Sequence, residues 1–411
     1  MSQLKGNAVV GQSGGPTAAI NASLAGVIRG VFANRDLIPE LYGMRNGMEG
    51  FLSSDCVSLL PLFDSEERLR LLEQTPAAAL GSCRKKLPDP QKDPGFFRDL
   101  VARFREKNIR YFFYIGGNDS MDTVAKLSQY LKTADYEMRV VGIPKTIDND
   151  LADTDHTPGF GSAAKYVAVT LSEIVRDCAV YRVPAVTVVE IMGRDAGWLT
   201  ASAALPGALG GEGVDLIYLP ERPFTFDRFE SDLREAFQRR PNLVVAISEG
   251  IRTPDGRYVG EGAQSGASDA FGHRYLAGAG KVLEAFIKET FGCKVRSFEL
   301  SLPQRCASHL ASDVDLTEAA ALGASAVDAA ATGKTGVMAA LERSKGDPYR
   351  CAVVFNPVDR IANAIRRVPD EYINEKGNGI TPAGIAYLAP LIRGERSLEY
   401  RDGLPVHAII Q

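Results

Sequence analysis

Two carboxylates two residues apart, Asp148 and Asp150, lie in the stretch Pro144-Lys145-Thr146-Ile147-Asp148-Asn149-Asp150. On an extended loop they can face the same side, one to take a proton from a hydroxyl and the other to orient that hydroxyl or a metal. Lys145 beside them supplies a positive charge for a phosphate oxygen. Taken alone, the stretch also reads as an acidic turn, because Asp and Asn are common turn and cap residues. Two glycine-rich stretches keep it company. Gly11-Gln12-Ser13-Gly14-Gly15-Pro16-Thr17 and Gly116-Gly117-Asn118-Asp119-Ser120 lack Cβ atoms where a phosphate would need the backbone to come close. The first is neither the dinucleotide fingerprint nor a Walker loop, and by itself it fits a tight turn as well as a phosphate cradle. In the second, a helix cap accounts for one of Asn118, Asp119 and Ser120 but not for the paired glycines. Arg84, in Gly81-Ser82-Cys83-Arg84-Lys85-Lys86, has the guanidinium fork that suits bridging two phosphate groups, although a charge run is commonly a solvated face.

Elements of α/β type must position these residues. Asn7-Ala8-Val9-Val10 reads as a strand before the first glycine loop, and Ile20, Leu24, Val27, Ile28 and Val31 recur at helical spacing after it. Residues 110–115 form the strand before the second loop, followed by a helix with Met121, Val124, Leu127 and Leu131 on one face. Residues 140–143 lead into the carboxylate loop, where Pro144, without an N–H, should stop the strand. Loops at the carboxyl ends of parallel strands are where open α/β sheets place ligands. After Asp155-His156-Thr157-Pro158-Gly159-Phe160-Gly161-Ser162, a helix over 163–177 capped by Ser162 leads to a second α/β unit with strands at 184–191, 214–219 and 243–248. These deliver Met192-Gly193-Arg194-Asp195 and Ser248-Glu249-Gly250 to one sheet edge. Residues 252–280 read as a surface excursion. Gly278-Ala279-Gly280-Lys281 and Gly333-Lys334-Thr335 lack the first Walker glycine, and Gly333 fits better as the carboxyl cap of a helix over 316–331. Leu302-Pro303-Gln304-Arg305-Cys306 presents another arginine, and 359–367 reads as a short basic helix.

The composition agrees with this class. A chain of 411 residues can hold two domains, and 45% hydrophobic with 24% charged residues fits a globular α/β protein. A formal charge of −4 carries no basic footprint, so no nucleic-acid partner is expected. Six cysteines without CxxC spacing argue against zinc or a disulfide framework. Residues 1–6 have no basic start or apolar core, and no run reaches the roughly 18 apolar residues of a membrane span, so a cytoplasmic protein with no membrane contact is expected.

Phosphate-cradling glycines, paired carboxylates, a lysine and several arginines on sheet-edge loops describe a phosphoryl-transfer site, where positioning and charge neutralisation do most of the work. Over nearly its whole length the chain resembles the 6-phosphofructokinases, in seven blocks in the family's order: the Gly14-Gly15 loop, 81–84, 116–120, 144–150, 192–194, Glu249-Gly250 and Gln304-Arg305. The resemblance implies an α/β fold of two Rossmann-like doubly wound domains with the active site in the cleft between them. It implies a larger domain of 1–158 plus about 313–355 for pyrophosphate, and a smaller one of 159–312 plus about 356–411 for fructose 6-phosphate. ATP-dependent members have glycine where this chain has Asp119 and Lys145. The resemblance therefore implies pyrophosphate as donor, with an ATP-dependent phosphofructokinase and a non-catalytic sugar-phosphate sensor as the alternatives. A carboxylate at 119 would repel a nucleotide's α-phosphate by roughly 4 kcal/mol at 4 Å and an effective dielectric near 20.

Carried over by position, Asp148 is the base toward the sugar's 1-hydroxyl, with Thr146, Ile147 and Asp150 in its loop. Gly14, Arg84 and Gly117-Asn118 are implied for pyrophosphate. Met192, Gly193, Arg194 and Glu249 are implied for the sugar, and Arg305 for its 6-phosphate. Magnesium is the implied cofactor. The family's magnesium-associated aspartate is Asn118 here, which leaves Asp119, Asp148 or the substrate's own oxygens as ligands. Ala185 stands where many relatives carry a sugar-phosphate arginine, with Arg182 nearby as a stand-in. Because some family contacts come from a neighbouring subunit, a homodimer or homotetramer is implied.

Overall fold

The computed structural model describes residues 4–261, 278–346, 348–361 and 364–410. Its main strands are, in chain order, β1 (Asn7–Gln12), β2 (Leu41–Met44), β3 (Cys56–Ser58), β4 (Ile109–Gly116), β5 (Arg139–Pro144), β6 (Ala185–Ile191), β7 (Leu216–Tyr218), β8 (Asn242–Ser248), β9 (Lys294–Glu299), β10 (Val337–Arg343) and β11 (Cys351–Pro357). They form two separate sheets, and the fold is α/β with two domains.

The larger sheet runs β11-β10-β5-β4-β1-β2-β3. Its five middle strands are parallel, and antiparallel β3 and β11 close the edges. Alternation along β4 shows why both faces are covered. Tyr111, Phe113 and Ile115 pack with Leu24, Ile28 and Val327 from the helices Ile20–Ala33 and Asp313–Ala331. Phe112 and Tyr114 pack with Phe97, Phe104 and Met121 from the helices Pro94–Glu106 and Asn118–Leu131. A strand buried on both sides carries a continuous apolar run, which is the pattern of a parallel sheet.

The smaller sheet, β7-β8-β6-β9, is wholly parallel. The helix Phe160–Cys178 and Trp198 cover one face, and the helices Phe226–Phe237 and Ala279–Phe291 cover the other. Residues of the helix Pro382–Leu388 complete the first of these cores, whereas Ala408 and Ile410 lie against the larger sheet's core.

Several local expectations change. The helix Asn118–Leu131 is capped by Gly117 with no side-chain cap bond, so none of Asn118, Asp119 and Ser120 is spent as a cap. The helix expected from 163 starts at Phe160 with Gly159 as cap. Ser162 is inside it, where its hydroxyl donates to Asp315 Oδ2 at 2.5 Å. The surface excursion ends at the helix Ala279–Phe291, and residues 262–277 lie outside the described residues. Among the described residues of 359–367, where a basic helix was expected, there is a short 3-10 turn, Val358–Arg360; residues 362 and 363 lie outside the described residues. Strands β2, β3, β9 and β10 carry no signal singled out in the sequence; β9, with exposed Lys294 and Glu299, lacks the apolar run that marks its neighbours. No helix among the described residues is long and apolar enough to cross a membrane.

Candidate active site

In the larger sheet the chain goes from β1 to β2 on one side and returns to β4 on the other, so the loops after β1 and β4 diverge. Such a reversal opens a crevice at the strands' carboxyl ends. The register sets Gln12 beside Ile115 and Gly116 beside Pro144, which brings the loops after β1, β4 and β5 to one level. In the smaller sheet, Ile191 pairs with Ser248, so Met192–Arg194 and Glu249 also leave side by side. A cleft of about 470 Å³ lies between the two sets of loops. Gly14, Arg84, Asn118, Asp119, Lys145, Thr146, Ile147, Asp148, Asp150, Met192, Arg194, Glu249 and Arg305 all line it. Gly193 stands just behind, donating its N–H to Glu249 Oε1 at 3.2 Å.

Backbone geometry explains the glycines. Gly14 has φ +76°, in the left-handed region where a side chain is strained. Its N–H donates to Cys83 O at 3.1 Å and its carbonyl accepts from Ser82 Oγ at 2.6 Å, so the first glycine loop and the Gly81–Arg84 turn are laced together. A Cβ on Gly116 would come within 1.9 Å of Ser120 Oγ and 2.7 Å of Ser13 Oγ. These two hydroxyls hydrogen-bond to each other and join the β1 and β4 loops at the cleft floor.

The carboxylate loop alternates. Lys145, Ile147 and Asn149 are buried, while Thr146, Asp148 and Asp150 keep partial exposure. Asn149, at φ 54°, makes the turn; its Oδ1 accepts Thr157 N–H at 3.1 Å, and its Nδ2 donates to Tyr387 Oη at 3.0 Å. Asn tolerates this conformation better than most residues. Thr146 Oγ1 accepts the Asp148 N–H at 3.1 Å, fixing the carboxylate's stem.

Lys145 is 2% exposed and donates to Gly15 O at 2.6 Å. Burial pushes its pKa down to about 8, against the pull of Asp148 and with the push of Arg84 and Arg305. Burial likewise raises Asp148, while Arg194 and Lys145 oppose the rise. Asp150 is pushed up to about 7 by burial and by Asp148. Glu249 is pushed up to about 8 by burial, with the Gly193 N–H opposing. Lys145, Asp150 and Glu249 thus change charge near neutrality, as general acids and bases need to.

Asp119 differs from the bare carboxylate assumed from the sequence. Lys86 Nζ stands 3.2 Å from its Oδ1, so much of the repulsion toward an incoming phosphate is neutralised. The pair acts as a closed contact between the Arg84–Lys86 turn and the helix Asn118–Leu131. Arg305 lies nearer the glycine loop than expected, with Nη1 3.4 Å from where a Cβ on Gly15 would stand, and Arg84 helps lower its pKa after burial.

Other lining residues were not singled out from the sequence: Ser13, Thr17, Lys86, Ser120, Asp195 and Ile365. The first five sit inside quoted motifs, where a small or charged residue beside a glycine was the available signal. Ile365 had none. Asp195 is held by Arg252 Nη2 at 2.6 Å.

Asp155, His156 and Cys351 bring ligand-type atoms within 4.8 Å of one another, away from the cleft. Magnesium prefers oxygen ligands, so an imidazole and thiol pair is a poor set for it. In the cleft, Asn118 Nδ2 donates to Ala364 O at 3.1 Å while its buried Oδ1 has no hydrogen-bond partner among the described residues, an oxygen available to a hard cation.

A family model described as phosphofructokinase matches residues 7–330. The chain belongs to the phosphofructokinase family. The pyrophosphate–fructose 6-phosphate 1-phosphotransferase of Halomonas elongata is 40% identical over 401 residues, covering 97% of this chain and 94% of that protein. The protein of the same name from Xanthomonas campestris is 40% identical over 409 residues, covering 99% and 96%. The crystal structure of the pyrophosphate-dependent phosphofructokinase from Nitrosospira multiformis superposes with a TM-score of 0.88 at 36% identity, covering 98% of this chain and 96% of that one. The two-domain α/β fold described above is thus that of the phosphofructokinases.

Proposed function

We propose that this chain reversibly transfers a phosphoryl group from pyrophosphate to the 1-hydroxyl of fructose 6-phosphate, giving fructose 1,6-bisphosphate and phosphate. The observation that carries this reading is the buried ammonium of Lys145 beside Asp148, in a cleft where Asp119 and Lys86 bridge the donor side. The names of the full-length relatives support it. Asp148, raised by burial, accepts the hydroxyl proton as the sugar oxygen attacks phosphorus. Asp150 and the Thr146 hydroxyl hold the loop for that step. Lys145 and Arg84 neutralise the transferring and departing phosphates, with Gly14 and the Gly117-Asn118 turn giving the backbone room to approach. Met192, Gly193, Arg194 and Glu249 hold the sugar, and Arg305 its 6-phosphate, in a cytoplasmic homodimer or homotetramer.

The donor set fits magnesium, with the unpaired Asn118 oxygen and the neighbouring Asp119 carboxylate as protein ligands. When bound, the ion neutralises charge on the phosphates. The deciding experiment gives purified protein, fructose 6-phosphate and magnesium each donor in turn. Pyrophosphate should support turnover at least a hundredfold better than ATP; faster product formation with ATP overturns the donor assignment.

A further inference from the structure

His156 is 1% exposed and lies in the strap of chain between the carboxylate loop and the helix Phe160–Cys178. Its Nδ1 stands 2.8 Å from Asp155 Oδ1 and its Nε2 stands 2.7 Å from Glu318 Oε2. A neutral imidazole offers one N–H and one lone pair, so one of these contacts would set lone pair against lone pair. Each acceptor is also held by a further donor. Asp155 Oδ1 accepts a hydrogen bond from Arg343 Nε at 3.1 Å and stands 2.9 Å from Nη2 as an ion pair. Glu318 Oε1 accepts the Tyr349 hydroxyl at 2.7 Å, and the Cys351 thiol lies 3.2 Å from that hydroxyl.

The buried His156 ring and the part-buried Arg343 guanidinium therefore face two part-buried carboxylates. The remaining acid nearby, Asp315, is separately satisfied by Gly159 N–H at 2.9 Å and by the Ser162 N–H and hydroxyl. Burial disfavours the charge on His156, and its bonds to Asp155 and Glu318 outweigh that, leaving its pKa above the ordinary 6.5. With both ring nitrogens donating, none is left for a metal.

The residues on either side of His156 hold the carboxylate loop. Thr157 N–H donates to Asn149 Oδ1 at 3.1 Å, and Thr157 Oγ1 donates to Thr146 O at 2.9 Å. Tyr387 Oη donates to the Asp155 carbonyl at 2.7 Å and itself accepts from Asn149 Nδ2 at 3.0 Å and Arg366 Nη2 at 3.1 Å. The Pro158 carbonyl accepts the Thr146 N–H at 3.2 Å. Residues 155–158 are thus the bed on which the loop lies, and Glu318 on the helix Asp313–Ala331 is what His156 fastens it to.

We propose that His156, protonated on both ring nitrogens, is a positioning residue for the reaction: by joining Asp155 to Glu318 it fixes the strap that sets the height of Asp148 in the cleft. The proposal takes from the proposed function only that the loop 144–150 holds the base. Because the folded pKa is raised, the stabilisation is fully present below about pH 6.5 and is lost as pH rises through the folded value.

The test compares kcat of the wild type with that of His156→Gln from pH 6.5 to 9.5, using whichever donor the wild type turns over. At pH 7 the variant should be slower by about tenfold, the scale of a sub-ångström misplacement of a reacting group. The ratio should close toward one as pH rises, because the wild type then loses the same charge. Glu318→Gln should behave likewise. Nitrogen-15 spectra of histidine-labelled wild type give a second readout that needs no substrate. Among the four histidines, the one shifted by Glu318→Gln should show two protonated nitrogens at pH 7. A rate ratio constant with pH overturns the proposal, and so does a neutral tautomer for that histidine at pH 7. A failed donor assignment would alter neither result.

Discussion

Replacing Lys145 by methionine separates what the buried cation does for chemistry from what it costs the fold. The ammonium is held near a pKa of 8 by burial, against an ordinary 10.5, so keeping it charged at pH 7 costs the folded state about 3 kcal/mol. Methionine removes that cost but leaves the Gly15 carbonyl without its 2.6 Å donor, a penalty of about 1–3 kcal/mol. The two nearly offset, so Tm should move by no more than about 5 °C. Activity should not survive so well. Losing a charged donor to the transferring phosphate is worth about 3–4 kcal/mol, or a fall of about 10²–10³ in kcat/KM for pyrophosphate. The sign of the pH dependence follows from the same group. Lys145 is charged below about pH 8, so kcat/KM, which reports the free enzyme, should decline through that value as pH rises. Lys145→Arg keeps the charge and should push that limb upward. Glu249 titrates in the same range, so the profile is repeated in Glu249→Gln. Initial rates against pyrophosphate across pH 6 to 9.5, with thermal melts of each variant, supply every quantity. A folded Lys145→Met enzyme within threefold of wild-type kcat/KM would refute the reasoning.

Asp119→Gly together with Lys145→Gly should lower pyrophosphate use and open the donor side to ATP, read as the ratio of kcat/KM for the two donors; an unchanged ratio contradicts the role given to these residues. Asp148→Ala should leave fructose 6-phosphate binding within about tenfold by calorimetry while kcat drops by about 10²–10⁴, and equal loss of both would make Asp148 a binding group. Gly116→Ala places a methyl 1.9 Å from Ser120 Oγ. It should cost about 1–3 kcal/mol in denaturant unfolding, and a variant as stable as wild type would mean the Ser13–Ser120 contact gives way freely.

Sequence alone determined the chemistry-bearing loops, because each is a short motif beside a strand whose apolar run announces it. Glycines ahead of Asn118, the proline ending β5 and the spacing of Asp148 and Asp150 are local facts, and local facts survive in one dimension. Where expectation failed, the cause was an interaction between residues far apart in the chain. Gly117 caps the helix after β4 while Asn118 bonds to Ala364, and Ser162 lies inside its helix bonded to Asp315. Strand β9 is unmarked by its own residues and exists because β6 offers it a parallel edge. Lys86 reaches Asp119 only once two loops fold together, which turned a presumed bare charge into a neutralised pair. The charge on His156 was likewise undetermined until Glu318, 162 residues away, arrived at its second nitrogen. Protonation and charge balance depend on distance and burial, and those quantities exist only in the folded chain.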